Sequence, residues 1–141
     1  MSLKLTSFIQ VMDGRAKEAI EYYQEVLDAK VIFMQTLGDG PKDEVSKFKE
    51  DQLGLIAHSV LKIGESEIMV SDSIPGVPLE KGNQISICIT SNDISQTKQL
   101  YEKLKENGKI ILELNELYFS PAYGMLVDKF GVTFQIFTTK R

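Results

Sequence analysis

One order of elements, strand-helix-strand-strand-strand, can be read twice along this chain, and that repetition leaves few folds open. The first pass begins with a strand at Leu5–Met12, followed by a helix over Arg15–Leu27 whose positions Ala16, Ala19, Ile20, Tyr23 and Leu27 form one apolar stripe, with Asp13 placed as its cap. Strands KVIFMQTL (30–37), LIAHSVLKI (55–63) and SEIMVSD (66–72) follow, the last two joined by a two-residue Gly-Glu turn. Between the first two of these lies 38–52, charged and without period, which predicts a mobile loop. A segment with two prolines and two glycines, about 74–82, then interrupts the pattern. The order starts again with QISICITS (84–91), a helix over Ser95–Asn107 that buries Leu100, Tyr101 and Leu104 and stops at Gly108, the strand KIILEL, and a closing hairpin of YGMLVD and VTFQIFT. The two halves share this plan more than they share residues, although A-K-V-I after the first helix answers G-K-I-I after the second.

Alternation divides the strands into two unlike faces. Ile9 with Val11, Ile68 with Val70, Ile85 with Ile87 and Ile89, and Val132 with Phe134 and Ile136 make β-branched or aromatic faces suited to cover by the helices. The opposite faces carry Thr6, Phe8 and Gln10, then Glu67, Met69 and Ser71, then Gln84, Ser86, Cys88 and Thr90, then Thr133, Gln135 and Phe137. A plain solvated surface would hold more Lys and Glu than this. Neutral amides and hydroxyls beside Phe and Met suit the wall of a partly desolvated pocket, where apolar area binds and a few polar groups orient.

Composition removes several classes of function. In a chain of 141 residues the formal net charge of −4 is spread out, which argues against nucleic acid or an anionic membrane as a partner. No early segment reads as a signal peptide and no apolar run is long enough to span a bilayer, so a cytoplasmic protein is expected. Cys88 is the only cysteine and His58 the only histidine, so an intrachain disulfide and a Cys/His metal cluster cannot be built. Cys88 lacks basic neighbours in sequence and reads as a buried small hydrophobe. His58 is a weak catalytic candidate, more simply a structural hydrogen-bonder.

Four segments together resemble the vicinal oxygen chelate superfamily of glyoxalase, bleomycin-resistance and dioxygenase proteins, and within it the PhnB-like branch also labelled 3-demethylubiquinone-9 3-methyltransferase. They are D-G-R-A-K-E-A-I-E-Y-Y-Q-E-V-L-D-A-K-V at 13–31, I-A-H-S-V-L-K-I-G at 56–64, I-M-V-S-D at 68–72 and Y-F-S-P-A-Y-G-M-L-V-D-K-F-G at 118–131. The resemblance implies an α+β fold of two βαβββ modules forming a cupped mixed sheet with helices on its convex side, as one domain over 1–141. Module one would span about 3–73 and module two about 83–139. It also implies a homodimer with a small-molecule ligand in the cup.

In the metal-dependent members a divalent ion is held by side chains of the first, fourth, fifth and eighth strands. Carried over, those places fall at Thr6, Met69, Gln84 and Gln135, a set without carboxylate or imidazole and therefore poor for Mg²⁺, Ni²⁺ or Zn²⁺. No metal and no cofactor is expected; a different strand register would bring Glu67 or His58 to the site instead. The expected ligand cup comprises Thr6, Phe8, Gln10, Met69, Ser71, Gln84, Ser86, Gln135 and Phe137, with Tyr118 and Tyr123 near its mouth beside Phe119. The methyltransferase label finds no glycine-rich strand-to-helix turn of the kind that cradles S-adenosylmethionine. Two functions remain: a metal-free binding protein, which the residues favour, and a metal-dependent lyase, isomerase or dioxygenase-like enzyme.

Overall fold

A computed structural model describes residues 4–140, so the expected start of module one at residue 3 lies outside the described residues. The chain forms two compact units that divide between Leu79 and Glu80. In the first, β1 (Ser7–Val11), α1 (Ala16–Leu27), β2 (Lys30–Thr36), β3 (Ile56–Ile63) and β4 (Ser66–Asp72) make a sheet of order β1-β4-β3-β2, with a short α2 (Lys42–Val45) between β2 and β3. In the second, β5 (Ile87–Ser91), α3 (Ile94–Lys105), β6 (Lys109–Leu117), β7 (Ser120–Val127) and β8 (Thr133–Thr138) make a sheet of order β5-β8-β7-β6. Each sheet is mixed, with its first and last strands parallel and the remaining pairs antiparallel. The βαβββ repeat and the α+β class therefore hold in each unit. Among the described residues no helix is long and apolar enough to cross a membrane.

Each helix covers one face of its own sheet. α1 buries Ala16, Ala19, Ile20, Tyr22 and Tyr23 and packs on β1, β3 and β4, where Ile9, Val11, Leu61, Ile68 and Val70 are buried. α3 buries Thr97, Tyr101 and Leu104 and packs on all four strands of its sheet, with Leu126, Phe134 and Ile136 beneath. The helices have equal length, and Tyr23 and Tyr101 occupy the same eighth position in them. Gly124 makes room for the second of these rings: a Cβ there would lie 2.7 Å from Tyr101 Cε1. The Tyr101 hydroxyl donates to the Leu112 carbonyl at 3.1 Å, beside an irregularity in the β6 ladder.

Several local expectations change. Asp13 does not cap α1; it sits in a turn with φ of 61°, and the first helical amide, Ala16 N–H, donates instead to Asp72 Oδ1 at 2.9 Å. A carboxylate 56 residues along the chain thus does the work expected of a local cap. α3 is capped locally, with the Ser95 amide donating to Asp93 Oδ1. It ends before Gly108, because Asn107 takes the left-handed turn at φ 59°. Gly108 is needed for another reason, since a Cβ there would strike the Val127 carbonyl. The expected loop 38–52 contains α2 and two single 3₁₀ turns, at Leu37–Asp39 and Glu50–Gln52, built from short-range bonds that need no apolar period.

The closing break, D-K-F-G, is an Asx-type turn: Asp128 Oδ1 accepts from the amides of Phe130 and Val132, and Gly131 adopts φ of 88°. Its bonds fix the register that brings Tyr123 opposite Phe137 and Met125 opposite Gln135.

Candidate functional site

The face of the second sheet turned away from α3 holds the best-defined polar group in the fold. Register places Cys88 beside Gln135 and Met125 opposite it, so Gln135 stands in the middle of three strands. Tyr123 donates its hydroxyl to Gln135 Oε1 at 2.5 Å, and Gln135 Nε2 donates to Ser86 Oγ at 2.8 Å. All three residues are half-buried. Aromatic rings surround this chain: Phe119 lies parallel to Phe137, 6.1 Å away at 9°, and meets Tyr123 edge-on at 5.1 Å. Tyr118 packs edge-on against Phe119 but is itself almost wholly exposed.

Gln84 does not join this group. β5 begins at Ile87, so Gln84 precedes the strand and is exposed, and Ser86 takes the place beside Gln135. The reason is local: Ile85, expected on the buried face, is itself strongly exposed, and the preceding segment has no ladder partner to hold it in register.

On the corresponding face of the first sheet, Phe8 pairs with Met69, Met69 with Val60, and Val60 with Phe33. His58 lies between two rings, 6.0 Å from Phe8 and 5.8 Å from Phe33. Gln10 is paired with Ser71, but Ser71 is buried and donates its hydroxyl to the Asp72 carbonyl. Thr6 lies just before β1 and is half-buried. Phe33 was not among the expected site residues, because it stands inside the continuous apolar run V-I-F-M, where alternation gives no face. The strand registers make His58 and Tyr123 counterparts: each is a ring with a polar tip on the third strand of its unit, flanked by two other aromatic residues.

The donor chemistry of these faces does not fit a divalent cation. Unit one offers Thr6, Gln10, the thioether of Met69 and a single imidazole, His58, with no carboxylate beside it; unit two offers Gln135, whose oxygen and nitrogen each bond a hydroxyl. Glu67 is held in an exposed ion pair with Lys4 at 3.0 Å. Among the described residues no group of three or more His, Cys, Asp or Glu side chains is placed to hold a metal. Cys88, expected to be buried, is exposed, because it lies on the face of β5 that α3 does not cover; Thr90 Oγ1 is 3.9 Å from its sulfur.

The buried carboxylate of Asp72 is a feature that sequence reading missed. It accepts from the amides of Ala16 and Ile56, at 2.9 and 2.7 Å, and so ties the starts of α1 and β3 to the end of β4. Its counterpart in the second sheet is a hydroxyl cluster, in which Ser120 Oγ donates to the Thr138 carbonyl and Thr138 Oγ1 donates to Thr97 Oγ1 at 2.8 Å. Both are structural ties under the helices.

A family model described as 3-demethylubiquinone-9 3-methyltransferase matches residues 4–137. The chain is 28% identical over 134 residues to protein YjdN of Escherichia coli (strain K12), covering 91% of this chain and 90% of that protein. Among solved structures it is similar to protein PA1353 from Pseudomonas aeruginosa, with a TM-score of 0.85, 25% identity and 98% of each chain covered. A glyoxylase/bleomycin resistance protein/dioxygenase domain from Frankia sp. EAN1pec superposes with a TM-score of 0.67 over 99% of each chain; at 12% identity that likeness is one of fold.

Proposed function

The chain belongs to the 3-demethylubiquinone-9 3-methyltransferase family, within the vicinal oxygen chelate superfamily and its glyoxalase/bleomycin-resistance fold, and from that premise we propose a metal-free protein that binds a small neutral or amphipathic molecule. The observation that carries this reading is the Tyr123–Gln135–Ser86 chain. At the place where the metal-dependent relatives would present a charged ligand to a cation, this protein has a neutral amide bonded at its oxygen and at its nitrogen to hydroxyl partners, and walled by Phe119 and Phe137. Apolar rings supply binding area and the hydroxyls supply orientation. Phe8, Gln10, His58 and Met69 offer a second set of the same character on the first sheet.

Methyl transfer from S-adenosylmethionine finds no support in the residues. The turn between β1 and α1 contains Gly14 alone, and neither sheet alternates strands and helices in the parallel order that cofactor chemistry of that kind uses. A cytoplasmic homodimer completes the proposal. Its support is two edge strands with exposed apolar side chains, Val31–Met34 on β2 and Ile110–Leu112 on β6, which a second copy would cover.

Native mass spectrometry of protein purified without chelator tests the reading. It predicts a dimer that carries either no adduct or an organic one, and a stoichiometric divalent metal retained in the folded protein would contradict it.

A further inference from the structure

The Tyr123–Gln135–Ser86 chain has a direction, and the direction names a ligand class. A carbonyl oxygen can only accept and an amide nitrogen can only donate, whereas the hydroxyls of Tyr and Ser can do either. The 2.5 Å separation at Tyr123 lies below the N–H···O range and at the short end of the O–H···O range, so the carbonyl end of Gln135 faces Tyr123 and the hydroxyl donates to it. The amide nitrogen is then the end that faces Ser86, 2.8 Å away, and Ser86 Oγ accepts there. Among the described residues none accepts the Ser86 proton, and none donates to the Tyr123 oxygen.

We infer that Gln135 polarises this face so that Ser86 is its hydrogen-bond donor to a ligand, selecting flat molecules that bear a carbonyl or similar neutral acceptor and lay their ring against Phe119 and Phe137. This rests on the open-face binding proposed above and deepens it. A half-buried hydroxyl that accepts from an amide N–H cannot give its proton back to that nitrogen, and so turns it toward the open face. An aryl ketone satisfies that proton and offers the rings a flat apolar surface, while a ligand whose only polar group is a donor leaves the proton unmet. Tyr123 is the complementary acceptor at the other end of the chain, so a ligand with both groups binds in one orientation only.

The test has two readouts by NMR. The first needs no ligand: the side-chain amide protons of Gln135 shift in Ser86→Ala, which removes their acceptor, and stay nearly in place in Tyr123→Phe. A shift confined to Tyr123→Phe would mean that the amide points the other way, and would overturn the assignment. In the second, acetophenone and indole, which donates but does not accept, are titrated while the signals of Phe119, Tyr123 and Phe137 are followed. Ser86→Ala should weaken acetophenone about fivefold, the scale of one neutral hydrogen bond, and leave indole within a factor of about two. Equal weakening of both probes, or none for acetophenone, would overturn the ligand class. If neither probe moves these signals in the unaltered protein, the ligand class and the open-face reading fall together, while the amide signal still decides the direction of the chain.

Discussion

Replacing Asp72 tests how the first unit holds its helix. The Asp72 side chain is 4% exposed, and its two oxygens accept from the amides of Ala16 and Ile56. Asp72→Ala leaves both N–H groups without an acceptor, and an orphaned buried donor costs about 1–3 kcal/mol. The sum would be about 2–6 kcal/mol if nothing replaced the carboxylate. A pocket lined by Leu37, Leu55, Ala57 and Ile74 opens beside it, however, so water can reach one of the amides. That places the expected loss at about 2–4 kcal/mol. Asp72→Asn keeps one accepting oxygen and should lose about half as much. Urea unfolding followed by circular dichroism gives the stabilities, and hydrogen exchange at Ala16 and Ile56 shows whether the loss is local. An Asp72→Ala protein within about 0.5 kcal/mol of the parent, or one whose Ala16 and Ile56 amides stay protected, would refute the tie between β4, α1 and β3.

Gly124→Ala forces a methyl to 2.7 Å from the Tyr101 ring and to 3.2 Å from the Leu112 carbonyl, so the melting temperature should fall as α3 is pushed off β7; an unchanged value would show that the contact is slack. Gln135→Glu puts a carboxylate in a half-buried place with no cation beside it, and the desolvation raises its pKa above the ordinary glutamate range. A raised carboxyl pKa favours the folded state while the group is protonated, so the melting deficit against the parent should be small near pH 4 and grow toward pH 7; a deficit independent of pH would contradict this. Asp39 accepts from the Thr36 amide, which holds its carboxyl below the usual range, so its support for the 37–39 turn is present at neutral pH and disappears as the solution is acidified through that lowered range. Limited proteolysis in 38–52 should therefore speed up at low pH relative to Asp39→Asn, and equal acceleration in both would refute the link. Ile32→Glu and Ile111→Glu, on the exposed edges, should shift sedimentation toward monomer without lowering helix content, whereas an unchanged dimer would move the interface elsewhere.

What the sequence made legible was whatever has a period. Alternation placed Phe134 and Ile136 under α3 and left Gln135 and Phe137 on the other face, and the helical stripes picked out Tyr23 and Tyr101 correctly. Long-range ties carry no period, which is why nearby Asp13 reads as the cap of α1 and distant Asp72 does not. Strand ends were misjudged for a related reason. Ile85 continues the alternation of β5 in sequence, but alternation does not record whether a neighbouring strand extends far enough to pair with it. Gln84 was accordingly set beside Gln135 when Ser86 is the residue that meets it. Phe33 and His58 come together only through the β2–β3 register, which a continuous apolar run does not reveal.

The Gln135 site carries no negative charge, and calorimetric titration of the chelator-treated protein with Ni²⁺, Zn²⁺, Mn²⁺ and Mg²⁺, alongside Gln135→Ala, decides whether it can hold a metal. With Gln135 bonded on both sides to neutral hydroxyls, nothing there offsets the cost of stripping water from a divalent ion, so neither protein should show stoichiometric binding tighter than about millimolar. Tight one-to-one binding of any of these ions, lost in Gln135→Ala, would contradict it.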